Sequence, residues 1–173
     1  YTVRNTLSLH DALPIFNGSG VRVLVYDAGS VLSSHQDFVT LQGTNRVHVG
    51  DGASVSFHPT HVAGTIGGDG GQSTGSSLRG MAPNVRFESY TFEYDGGGTF
   101  LYTNPGDIEA DYTEAFVTNG ADISNNSIGS NIAPNGFPCS YEGDYGVAPA
   151  VIDALVRGDT LGFPIRVVWS AGN

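Results

Sequence analysis

Val21 to Tyr26 reads VRVLVY, a β-branched, mostly apolar run set off by Gly18 and Gly20 and ending at Asp27-Ala28-Gly29-Ser30. A strand that is apolar at successive positions has little polar face to give to water, so it predicts a buried parallel strand followed by a turn. The rest of the chain agrees with that demand. His58 to Gly67 (HPTHVAGTIG) predicts a helix starting near His58, where Pro59 suits the first helical position and the small residues allow close packing. Asn84 to Phe92 alternates as a strand, with Val85, Phe87 and Ser89 on one face and Arg86, Glu88 and Tyr90 on the other. Asp107 is expected to cap a helix carrying Ile108, Tyr112, Ala115 and Phe116 and ending at Asn119-Gly120. Asp122 to Ile128 is a strand candidate. Ala148, Val151, Ile152 and Leu155 follow helical spacing, and Ile165 to Trp169 is a last strand running into Ser170-Ala171-Gly172-Asn173. This alternation predicts a three-layer α/β domain, with a mostly parallel central sheet and helices on both faces.

Composition removes whole classes of function. Seven basic residues, all arginine, against 17 acids give a net charge of −10, which opposes binding to nucleic acid or to an anionic membrane surface. Without lysine there is no phosphate-loop lysine and no Schiff base. No run of 18 apolar residues is present. The single Cys139 cannot form an internal disulfide, and it reads as a free surface thiol.

Residues 1–15 stand apart. Thr6 to Ile15 (TLSLHDALPI) corresponds codon for codon to a widely used sequencing adapter, so the segment is expected to be non-native and 16–173 to be the domain proper.

In an open parallel sheet, ligands bind at the carboxyl ends of the strands. Asp27 ends the first strand, His58 begins a helix and Asn173 follows the last strand. An acid to orient a ring, an imidazole to move a proton and an amide to meet an oxyanion are three parts of an acyl-transfer site. Other readings of the same residues stay open. His58 and His61 at i, i+3, with Asp51 or Asp69, are a candidate metal site, although no further ligand motif accompanies them. Ser127 lacks the elbow expected of a nucleophile.

The motifs together resemble the subtilisin-like serine peptidases. VLVYDAGS resembles the strand carrying their catalytic aspartate, HPTHVAGTIGG their histidine helix, and GMAP at Gly80 to Pro83 the segment before their next strand. ISNNSIGS at Ile123 to Ser130 is similar to their substrate-pairing strand, and WSAGN to their oxyanion-hole motif. The resemblance implies a serine endopeptidase with Asp27 as triad acid, His58 as base and Asn173 as oxyanion donor. It also implies that Ser127, Ile128 and Gly129 pair with the substrate backbone, while Ser170, Ala171 and Gly172 line the pocket before the scissile bond. His35 matches a histidine that is structural in the family. Pro59 stands where the family has glycine. The family's serine lies in a Gly-Thr-Ser motif beyond the last residue here, so the 173 residues alone are expected to be inactive and to expose an unpaired strand edge. Extra length is expected at Tyr94 to Pro105 and Ile132 to Tyr145. No cofactor is required; calcium is expected only as a structural ion with unassigned ligands. The implied partner is a polypeptide substrate, with no nucleic acid and no membrane. The implied location is secreted, and the complete protein is expected to be monomeric. A non-catalytic binding or scaffold module on the same fold is the alternative function.

Overall fold

In the computed structural model the VRVLVY run becomes β1 (Arg22–Asp27), whose last five residues are all buried. The structure describes residues 17–40, 43–71, 78–92, 104–129, 136, 138–141, 143 and 145–171. The N-terminal segment 1–15, most of the expected insertion at Tyr94 to Pro105 and half of that at Ile132 to Tyr145 lie outside them.

β1 is flanked on both sides. It pairs in parallel with β3 (Arg86–Thr91) and with β4 (Ile123–Asn126). Beyond β3 lies β2 (Val47–Val49), and beyond β4 lies β5 (Val167–Trp169), giving the all-parallel order β2-β3-β1-β4-β5. From β1 the chain crosses to the edge strand β2, comes back inward as β3, then passes to the other side of β1 for β4 and β5. The carboxyl ends of β1 and β4 therefore form a switch point, the place where such sheets leave a crevice.

Helices cover the two faces. α1 (Phe57–Gly67) packs Ala63, Val62 and Ile66 over Val23, Val25, Val47, Val85 and Phe87. The opposite face carries Leu24, Tyr26 and Tyr90 beneath α2 (Pro105–Thr113) and α3 (Val147–Arg157), which contribute Ile108, Tyr112 and Leu155. The three-layer α/β expectation holds. Over β4 and β5 the α1 side is open: Val21, Val23, Ile66, Ile123 and Val168 line a concavity of about 300 Å³. β5 has no second strand neighbour among the described residues, and Val168 and Trp169 are 51% and 44% exposed.

Several local expectations shift. α2 is capped by Asn104, whose side chain accepts from the Gly106 N–H at 3.1 Å; Asp107 falls within its first turn, where an acid still complements the helix dipole. The helix then widens into a π turn over Glu114–Thr118, with the Asn119 N–H donating to the Glu114 carbonyl. α1 begins at Phe57, so Pro59 is its third residue, where a missing N–H still costs no intrahelical bond. β4 stops at Asn126, which leaves Ser127 to Gly129 outside the strand. The short strand β2 was not expected. Val47 is its one buried residue, too brief a signal to show periodicity.

Several polar groups inside the fold are matched, although the buried Thr91 hydroxyl oxygen has no hydrogen-bond partner among the described residues. Arg46 is buried, and its guanidinium donates to the carbonyls of Val85 (2.7 Å), Asp37 (2.6 Å) and Gly67 (2.8 Å). It ties the entry of β3, the turn at Gln36–Phe38 and the end of α1 together. On the other face Glu88 is buried between Arg22 (3.0 Å) and His48 (2.5 Å). Tyr112 reaches both Ser124 and Asn126 at 2.8 Å, and burial pushes its hydroxyl up to about 12.

Candidate active site

The crevice is built where β1 ends. Asp27 is the last residue of that strand and is 1% exposed, fixed between β3 and β4. Gly29 follows at φ +101°, and a Cβ there would stand 2.6 Å from the Ser56 Cβ, so only glycine lets the turn pass the start of α1. Ser30 then clamps that start. Its N–H donates to the Ser54 carbonyl at 2.9 Å, its carbonyl accepts from the Ser56 N–H at 2.9 Å, and its hydroxyl reaches the Ala53 carbonyl at 2.8 Å. Thr60 adds a second tie, accepting from the Leu32 N–H at 2.9 Å and donating to the Ser56 carbonyl at 2.7 Å.

These ties aim His58 at Asp27. The His58 Nδ1 lies 2.8 Å from Oδ1 and 2.9 Å from Oδ2 of Asp27. An Nδ1–H donating to the carboxylate leaves Nε2 as the basic nitrogen of a neutral ring. The ring is 45% exposed, so one edge is anchored while the rest of it reaches solvent. Burial pushes the Asp27 carboxyl above its ordinary value; the Ala28 N–H at 2.7 Å and His58 pull the other way and keep the charged form supported.

A second group of expected residues gathers beside it. The Ser170 N–H donates to the Asn126 carbonyl at 3.0 Å, and its hydroxyl donates to the Ile128 carbonyl at 2.7 Å. Asn125 donates to the Ser127 hydroxyl at 3.0 Å, so the segments 127–129 and 170–171 run together past the ends of β4 and β5. Gly129, Ser170 and Ala171 are exposed, with Ser127 and Ile128 half-buried. Gly172 and Asn173 lie outside the described residues.

The metal reading loses its ligand set. His58 is turned to Asp27, while Asp51 accepts from the N–H groups of Ala53 and Thr91, and Asp69 from that of Gly71. Among the described residues no three His, Cys, Asp or Glu side chains come together as a metal-holding group. Cys139 is exposed. His35 caps the turn at Gln36–Phe38 by accepting from the Asp37 N–H and packs against Phe38, away from the His58–Asp27 pair.

Sequence analysis assigns Phe57 no role; the residue is 87% exposed and its ring stands edge-on to His58, with centroids 6.5 Å apart.

Comparison with known proteins gives the family. No curated protein matches the sequence. Among solved structures, the prenylagaramide maturation protease PagA is 26% identical with a TM-score of 0.55, covering 88% of this chain and 46% of its own. MycP1 from Mycobacterium smegmatis is 24% identical with a TM-score of 0.60, covering 95% and 43%. The CspB protease of Clostridium perfringens, 15% identical, has a TM-score of 0.62 and covers 92% and 38%, a likeness of fold alone. The chain thus spans less than half the length of these three proteins. The family model described as the subtilase family matches residues 18–173, nearly the whole chain, and the chain belongs to that family.

Proposed function

We propose that the protein is a serine endopeptidase in which Asp27 and His58 form the acid and base of a catalytic triad. The observation that carries this reading is the buried carboxylate of Asp27 held 2.8 Å from Nδ1 of a half-exposed His58 at the sheet's switch point. In that role Asp27 fixes the ring's tautomer and supports the imidazolium that forms in the transition state. The nucleophile is the serine that the family resemblance puts beyond Asn173. Its Oγ attacks the substrate carbonyl carbon as its proton passes to His58 Nε2, and His58 returns that proton to the leaving amine as the C–N bond breaks. Water, deprotonated by the same nitrogen, then releases the acyl group.

Asn173 is assigned to the oxyanion, and a donor of this kind contributes about 10²–10³ in rate. Ser127, Ile128 and Gly129 are assigned to the substrate backbone, and Ser170, Ala171 and Gly172 to the pocket for the residue before the scissile bond. The mutual hydrogen bonds of the 127–129 and 170–171 segments support that pairing.

Hydrolysis of a peptide amide by the full-length protein tests the reading. His58→Ala should lower kcat by about 10⁴ or more while leaving the melting temperature near that of the wild type. Wild-type protein that folds but cleaves no peptide would instead favour a binding or scaffold module.

A further inference from the structure

Beside His58 a groove of about 890 Å³ runs along α1, and no role in the proposed chemistry has been given to it. One wall is α1 itself, from Phe57 past His61 to Thr65. The rest comes from the Leu32 to Phe38 loop, from Val55 and from the Leu78 to Met81 segment. Its rim is apolar and open to solvent: Phe57, Val55, Leu78 and Met81 are all exposed. Single exposed apolar residues need no explanation, but four of them around one concavity mark a binding surface.

The groove has a direction. Phe38 packs against Phe87 of β3 with ring centroids 5.6 Å apart, so the groove lies toward the β2–β3 side of β1. The segments assigned to the acyl half of the substrate, 127–129 and 170–171, lie past β4 and β5 on the opposite side. Asp27 and His58 stand between the two. An extended chain held on the acyl side and cut at His58 therefore continues on the groove side. From Phe57 to Thr65 the helix rises about 12 Å, room for three or four extended residues at about 3.3 Å each.

Resting on the peptidase reading, we infer that this groove receives the leaving-group side of a polypeptide substrate and that Phe57 selects apolar side chains there. Phe57 is suited to the task because it is chain-adjacent to the base. Its ring is held edge-on to His58, so an apolar substrate side chain covering it would also keep water from that side of the imidazole. Phe57 makes no proton transfer; it is a specificity residue.

The test uses the full-length protein and two peptides identical up to the cleaved bond, one with leucine or phenylalanine in the three residues after it and one with glycine and serine there. The wild type should prefer the apolar peptide in kcat/KM by about tenfold or more, the range a hydrophobic pocket can discriminate. Phe57→Ser should bring that preference close to unity, and Phe57→Leu should largely restore it. Because the preference is a ratio within one preparation, loss of folded protein cancels. If Phe57→Ser does not fold, Met81→Ser reads the same rim and should lower the preference in the same direction. An unchanged ratio in the variant that folds overturns the inference. A short substrate whose chromogenic amine carries no residues after the cleaved bond separates the two levels. If that substrate shows no His58-dependent hydrolysis, the peptidase reading itself fails; if it is hydrolysed while the ratio stays fixed, only the groove assignment falls.

Discussion

The base role proposed for His58 requires that its ring be held, and the holding group is a carboxylate that the fold has taken out of water. Burial raises the Asp27 carboxyl above its ordinary value of 3.8. For an acid raised in the folded state, the native protein binds more protons than the unfolded chain between the two values. Its contribution to stability is therefore full below about 3.8 and falls as pH rises through the raised value. Asp27→Asn, neutral at every pH, should melt higher than the wild type at pH 7, with the gap closing toward pH 4. The same change should reduce kcat by about 10⁴, since an amide cannot hold the required tautomer. Thermal melts across pH check the first effect, and a variant less stable than wild type at pH 7 would show that the hydrogen bonds of Asp27 outweigh its burial. Asp27 and His58 were legible in the sequence because each sits in a local motif at a strand or helix end. Phe57 was not, because its exposure depends on how the neighbouring loops leave α1 uncovered, which no local pattern encodes.

At the level of elements, β1 could be read from its apolar run, β3 from its alternation, α2 and α3 from helical spacing, and α1 from Pro59 and its small residues. β2 could not, having three residues and one buried side chain. Its position comes from Arg46, the residue before it, which is anchored by three carbonyl oxygens that no short window brings together. Burial depresses the Arg46 guanidinium while Asp69 and Asp37 support its charge, so it acts as a fixed internal cation joining β3, α1 and the turn at Gln36–Phe38. Arg46→Met would strand three carbonyl acceptors and should cost about 3 kcal/mol, read as a lowered midpoint in urea. Arg46→Lys should recover only part of that loss, because an ammonium lacks the planar fork that spans three acceptors. Full recovery by lysine would mean that charge alone, without geometry, holds the three segments. The helix boundaries moved by small amounts for the same reason that caps are hard to place: Asn104 and Asp107 both suit a helix start, and tertiary packing chose the earlier one.

Across the molecule, the strand order turns five short parallel strands into a site. Reversal of direction at β1 puts Asp27 at the switch point, α2 and α3 cover the sheet on one face, and α1 delivers His58 from the other. The layer architecture was legible because buried parallel strands and amphipathic helices alternate in the sequence. The convergence of segments 127–129 and 170–171 was not legible from the residues alone, since β4 ends before Ser127 and the two meet through single hydrogen bonds; only the family resemblance pointed to it. Among the described residues no helix is long and apolar enough to cross a membrane. The measurement that bears most directly on the whole account is labelling of the full-length protein by a fluorophosphonate, followed by mapping of the modified residue. The account predicts a single modified serine beyond Asn173, with labelling at least about 10³-fold slower in His58→Ala than in the folded wild type. Labelling that proceeds at the wild-type rate without His58, or folded wild-type protein that takes no label, would contradict it.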